Sequence, residues 1–232
     1  LILAIHQPNY LPWLGYFHKM KQADAFMFLD NVQIPGKGLS NRNFIKGKDG
    51  SKVMLSVPLK KSKGMHSTYL EVLPDYSKPW QKEHINKIKD AYYKAPHFNA
   101  VFEILEPILV KKYEHLCDLN TSLIIAIAHL LDIKTPVLYA SSMINHQLSK
   151  NERNIDLCKQ AKANIYLSGQ GAKKYNDEIL FLSNNINIIY QSFKLPEYQQ
   201  SGSNFIPNLS VLDALFNIDN ATIKKIIYSQ NL

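Results

Sequence analysis

An α/β fold built on a mostly parallel sheet of about five strands is what this 232-residue chain predicts, on three observations. Short apolar runs alternate with helical patterns at both ends of the chain, and strand, turn, helix and strand fill the first thirty residues. The apolar runs end in proline, aspartate or Ser-Gly turns. Between the two alternating regions lies a stretch of different character, which reads as an insertion after the second strand.

The elements follow in order. Residues 1–6 (LILAIH) run apolar and predict a buried first strand. The string HQPNYLPWLGYF then leads into a helix over 12–22, with Pro12 in its first turn, where a missing amide costs nothing. ADAFMFLD (23–30) is a second strand ending in Asp30. NVQIPGKGLSNRNFIKGKDG (31–50), rich in Gly, Asn and Lys, predicts loop. KVMLSVPL (52–59) is a strand, with HSTYLEVL (66–73) as an antiparallel partner. Three helices follow at about 77–94, 98–115 and 118–131, separated by Pro96 and the LCDLN string. Leu105, Ile108 and Leu109 share one face of the second, and Leu123, Ile127, Leu130 and Leu131 one face of the third. Alternation resumes with strands at 136–141, 164–169 and 185–190, a helix at 150–163, a long loop, and helices near 209–216 and 221–229. The expectation is one Rossmann-like domain over 1–232, with a hairpin and helical insertion at about 31–133 and no internal repeat.

Composition narrows the function classes. The 46% hydrophobic and 20% charged fractions are those of a soluble globular protein. No apolar run nears the roughly 18 to 20 residues of a membrane span, and no signal-peptide pattern opens the chain. Cys117 and Cys158 form neither a disulfide framework nor a zinc spacing, so a reducing cytoplasm is the expected location. The net charge of +8 raises nucleic acid as a partner, yet the lysines are dispersed. The densest cluster, LKKSKG at 59–64, lacks interleaved aromatics, so an anionic small substrate is expected instead. A modestly basic surface without a special partner is the alternative.

Ligands of open parallel sheets sit beyond the carboxyl ends of the strands. The opening turn, Asp30, Ser141-Ser142 and Ser168-Gly169-Gln170-Gly171 all fall there. Pro8 and Pro12 stiffen the turn, and Gly15 permits close approach to the first helix. Trp13 and Tyr16 read as walls for a ring, with Gln7, Asn9 and Tyr10 beside them; a rigid core plug is the alternative. Backbone amides at Ser168, Gly169 and Gly171 suit a phosphate or carboxylate, although a glycine pair after a strand is also ordinary turn chemistry. NRNFIK (41–46) offers Arg42 and Lys46 with Asn41 and Asn43, either an anion clamp or a solvated basic loop. In the tail, Tyr190, Phe193, Tyr198, Phe205 and Phe216 alternate with Gln191, Gln199, Gln200, Asn204 and Asn217. That pattern fits a sugar or nucleobase site, or a loop pinned down by its aromatics. No HExxH, GxxxxGK[ST] or GxSxG string occurs, and His84, His97, His115 and His129 read as surface or core filler.

Taken together, the chain resembles the WbqC-like protein family. The resemblance rests on HQPNYLPWLGYF, NRNFIK followed by LSVPL, LN at 119–120, YLSGQGAKKY at 166–175 and YQQ…FIPNLSVLDALFN. It implies a place in bacterial O-antigen or other surface-polysaccharide synthesis, and amide formation between a small acyl or aminoacyl group, such as glycine, and a nucleotide-linked amino sugar. The first thirty residues are also similar to the opening of the HIGH-type nucleotidyltransferase superfamily, which includes ATP-dependent amide ligases. There Gly15 matches the glycine of the H-x-G-H string, while Trp13 and Tyr16 stand in place of its histidines. By that resemblance ATP with magnesium is the activating cofactor; an already activated acyl donor is the other route. The amine needs a base, for which His6, His18 and Asp30 are the candidates, while Arg42, Lys46 and the amides of 168–171 would meet developing charge. A non-catalytic protein that binds a nucleotide sugar is the alternative.

Overall fold

The computed structural model describes residues 1–36, 38–61, 64–143, 148 and 150–230. Strand β1 (Ile2–His6) leads through the opening turn into helix α1 (Leu14–Lys21) and then strand β2 (Ala25–Phe28). The insertion runs through β3 (Arg42–Lys46), β4 (Lys52–Ser56), β5 (Leu59–Lys61), β6 (Val72–Pro74) and helices α2 (Trp80–Tyr92), α3 (Phe98–Val110) and α4 (Leu116–Leu130). Alternation returns with β7 (Val137–Tyr139), α5 (Lys150–Gln160), β8 (Ile165–Ser168), α6 (Glu178–Ser183) and β9 (Asn187–Tyr190). After a long loop, α7 (Val211–Asn217) and α8 (Asn220–Tyr228) close the chain.

The expected five-stranded sheet is present and wholly parallel, in the order β7-β2-β1-β8-β9. The chain builds outward from β1 on one side, then crosses to the other at β8. Loops leaving β1 and β8 therefore diverge, and a crevice opens between them at the carboxyl edge. Strand alternation makes three layers. Leu3, Ile5, Ala25 and Met27 pack with Ile155, Leu157 and Cys158 of α5 and Phe181 of α6. Ala4, Phe26 and Phe28 face the larger core, shared by α1, the insertion helices, α7 and α8.

Four local expectations are corrected. Residues 42–46, expected as loop, form β3, paired antiparallel with β4 from Arg42–Ser56 to Lys46–Lys52. Ile45 and Leu55 are fully buried there, so tertiary packing overrides the Asn and Lys content. The stretch expected to pair over 66–73 contributes only Val72–Pro74, and it pairs with β5 rather than β4. LCDLN, expected as a break, lies inside α4, where Leu116, Leu119 and Asn120 are buried. Helix α6 was not expected; Asp177 caps it by accepting from the Leu180 amide at 3.0 Å. In the 59–64 lysine cluster, residues 62–63 lie outside the described residues.

The opening turn is held from three directions. Leu11 takes φ +43°, a left-handed conformation that costs a bulky residue about 1 kcal/mol or more. Asn43 of β3 donates to the Leu11 carbonyl at 2.7 Å, and Asn120 of α4 donates to the Pro8 carbonyl at 2.8 Å. The Val211 amide, at the start of α7, donates to the Pro12 carbonyl at 2.9 Å. Those bonds offset the strain and fix the turn against the sheet.

Candidate functional site

The crevice between β1 and β8 has two adjoining lobes of about 310 and 300 Å³, which share His6, Lys19, Gly169 and Gly171. One lobe is polar, lined by Gln7, Lys150, Arg153, Asn154, Tyr166 and Ser168 among others. The other is aromatic, lined by Trp13, Tyr16 and Phe193 with Gln170 and Gln191. Among the described residues no aspartate or glutamate lines either lobe, whereas Lys19, Lys150 and Arg153 do.

Lys19 sits where the lobes meet. Its side chain is 2% exposed, and Nζ donates to the Ile5 carbonyl at 2.9 Å. Burial disfavours the ammonium and pulls its pKa down to about 7. His6 is held still lower, at about 3, by burial and then by the neighbouring Lys19 charge. Its Nδ1 lies 3.0 Å from the Gln7 carbonyl. A neutral ring donating there keeps Nε2 as its free lone pair. The Tyr16 hydroxyl donates to the same carbonyl at 3.1 Å, and the two rings meet edge-on at 4.6 Å.

The need for glycine at 15 comes from within the chain. A Cβ there would fall 2.2 Å from the Trp13 indole, which lies across this turn of α1 and meets Phe193 edge-on at 5.6 Å. Gly169 and Gly171 differ. Their φ angles do not demand glycine, and a Cβ at either position would meet nothing within 4 Å. They border the crevice as open backbone. The amides of Ala172 and Lys173 are spent on the Gly169 and Gln170 carbonyls, and a single 3-10 turn, not an α-helix, follows this loop.

His6, Gln7, Trp13, Gly15, Tyr16, Ser168, Gly169 and Gly171 thus come together at the crevice. The other candidates have other surroundings. His18 is buried, with Gln191 Nε2 2.9 Å from Nδ1 and the Gln230 carbonyl 3.0 Å from Nε2, so both ring nitrogens tie α1 to the tail. Asp30 is buried at the end of β2, accepting from the Ser141 amide at 2.9 Å and its hydroxyl at 2.6 Å. Tyr10 is core, its hydroxyl 2.9 Å from His84 Nδ1. Asn9 and Arg42 are partly exposed, and neither they nor Asn43 and Lys46 line the crevice.

Lys46 belongs to a second polar group. It is buried, and its ammonium bonds the Asn204 carbonyl. Its amide donates to the Tyr92 hydroxyl, which in turn donates to Asp213 at 2.8 Å. Tyr198 donates to the other oxygen of Asp213, also at 2.8 Å. Burial pushes the Asp213 carboxyl up, while these hydroxyls and Lys46 pull it down. Phe205 packs edge-on against Tyr198, Gln200 exchanges bonds with the Ile206 backbone, and Gln199 is exposed. The tail loop is pinned to the body by these residues.

Sequence reasoning missed Lys19, Lys150, Arg153 and Asn154. The signal for Lys19 was a lysine in a short helix that also carries Leu14, Tyr16, Phe17 and Met20. For the others it was three polar residues spaced i, i+3, i+4 in the first turns of a helix that follows a parallel strand.

Comparison with known proteins agrees over nearly the whole chain. An uncharacterized protein of Mycobacterium tuberculosis is 34% identical over 220 residues, 93% of each chain. No solved structure matches. The WbqC-like protein family matches residues 7–225, a span that takes in the turn, the insertion and both sides of the crevice, and the chain belongs to that family.

Proposed function

We propose that this protein is an enzyme of bacterial surface-polysaccharide synthesis that joins a small acyl or aminoacyl group, such as glycine, to the amine of a nucleotide-linked amino sugar. The observation that carries this reading is a crevice lined by cationic Lys150 and Arg153 and by the buried Lys19, with no carboxylate among its described lining and an aromatic lobe beside them. Cations without counter-charges favour an anionic ligand, and Trp13, Tyr16 and Phe193 favour a ring. In the reaction the sugar amine attacks the activated carbonyl, a C–N bond forms, and the leaving group departs with its electron pair. The proton shed by nitrogen passes to Lys19, which near neutral pH is partly unprotonated. ATP, if it activates the acyl group, fits the same cations. Its magnesium would be held by phosphate oxygens, since the lining supplies no carboxylate.

A second reading, a protein that only binds the nucleotide sugar, draws on the burial of two candidate bases. His18 and Asp30 are both engaged in holding the fold. Incubation with a panel of nucleotide amino sugars, glycine and ATP, followed by mass spectrometry, separates the readings. The expected result is a glycine-dependent mass gain on one sugar. Binding of that sugar without any product, with ATP or with a preactivated glycine donor, would favour the second reading.

A further inference from the structure

Beside Lys19, the polar lobe contains groups whose hydrogen-bonding capacity is unspent. Arg153 Nε is buried with no hydrogen-bond partner, and Asn154, 4% exposed, has Oδ1 buried and equally unpartnered. Lys150 lies one turn earlier on the same face of α5 and lines the same lobe. Unpaired buried polar atoms of this kind cost on the order of 1–3 kcal/mol each, so two of them in neighbouring residues that line one cavity set this face of α5 apart from ordinary packing.

The charge of the groups around the lobe identifies the ligand that suits it. Asn176 Nδ2 donates to the Ser168 hydroxyl at 3.0 Å, and Ser168 bonds the Tyr166 hydroxyl in a way that favours its phenolate. Asn154 Nδ2 donates to the Tyr166 hydroxyl across a long 3.4 Å. The lobe offers the Arg153 guanidinium, the Lys150 ammonium and the N-terminal end of α5, all positive charge. Gly169 and Gly171 border the same lobe, and a Cβ at either would meet nothing within 4 Å, so a larger side chain at 171 has the lobe to extend into.

We infer that Lys150 and Arg153 form a phosphate subsite, which seats the phosphate or diphosphate of the ligand while its ring lies in the aromatic lobe. This rests on the crevice being the ligand site. The test is calorimetry on the full chain with inorganic pyrophosphate, nucleoside diphosphates and the corresponding unphosphorylated nucleosides. Pyrophosphate or a nucleoside diphosphate should bind, the nucleosides more weakly. Arg153→Gln and Gly171→Val should each lower the phosphate-dependent affinity roughly tenfold or more. Gly171→Val touches no packed neighbour, so its melting temperature should match wild type and exclude misfolding as the cause. Binding by pyrophosphate alone would assign the site to free phosphate chemistry, and binding only by nucleotides would assign it to a nucleotide; either supports the subsite. Equal affinity in wild type and both variants, nucleosides binding as tightly as their diphosphates, or no phosphate compound binding wild type would overturn it. Amide product formed with an unchanged KM in both variants would overturn the subsite while leaving the proposed reaction standing.

Discussion

Lys19 and His6 make opposite demands on the same few ångströms, and their titration should be visible in stability. Lys19 drops from its ordinary 10.5 to about 7 on folding. Between those values the unfolded chain holds a proton that the folded chain does not, so stability should rise with pH across that window. Below about 7 both states carry the charge and the burial penalty is fully present. Urea titrations on either side of the window should show this slope in wild type, and Lys19→Met should lose it. His6 falls from 6.5 to about 3 and His84 to about 4, so both resist protonation in the folded chain. Stability should therefore decline as pH falls from 6.5 toward 3, and His6→Gln should flatten part of that decline. Arg42 sits in β3 outside the crevice, so Arg42→Lys should leave affinity for nucleoside diphosphates unchanged by calorimetry.

At the scale of elements, the opening turn and α1 form one unit with the segment after β9. Gly15→Ala should force the Trp13 indole off the helix, since the added carbon would lie 2.2 Å from the ring. The expected cost is about 1–3 kcal/mol, with a shift in tryptophan emission from lost contact with Phe193. Trp80, the other tryptophan, is buried in α2 and should report little change. The tail loop depends on Asp213. Tyr198→Phe removes one of the two hydroxyls on that carboxylate and should cost about 1–2 kcal/mol. Hydrogen exchange should then rise in residues 198–206 and not in β1 or β8.

For the molecule as a whole, the insertion is bound to the sheet through buried asparagines rather than by packing alone. Asn120 donates to the Pro8 carbonyl at 2.8 Å and to the Ser40 carbonyl at 2.7 Å, joining α4, the turn and the entry to β3. Asn120→Ala strands two buried acceptors and should cost about 2–5 kcal/mol. Because α2, α3 and α4 share the larger core with β1 and β2, denaturation should remain a single transition. Separate transitions for the insertion and the sheet would show that the shared core is weaker than the asparagine ties imply.

Read alone, the sequence is enough to reveal the parallel sheet, the place of the insertion and the crevice edge, because those depend on local apolar period and turn chemistry. LILAIH and NIYLSG read as strands in isolation, and their carboxyl ends locate His6 and Ser168 beside one another once the sheet is parallel. It also marked the family motifs without separating ligand contacts from scaffolding. Tertiary structure separates the residues that line the crevice from those that hold the fold. Asn120, Asn43, Asp213 and His18 stand in motifs or at candidate positions, yet each spends its hydrogen bonds on distant backbone or side chains. Arg153 and Asn154, unremarkable within KNERNIDLCK, reach the crevice only because α5 packs where β1 and β8 part. Burial, charge pairing and unspent hydrogen bonds are properties of residues far apart in the chain, and they exist only once the fold has brought those residues together.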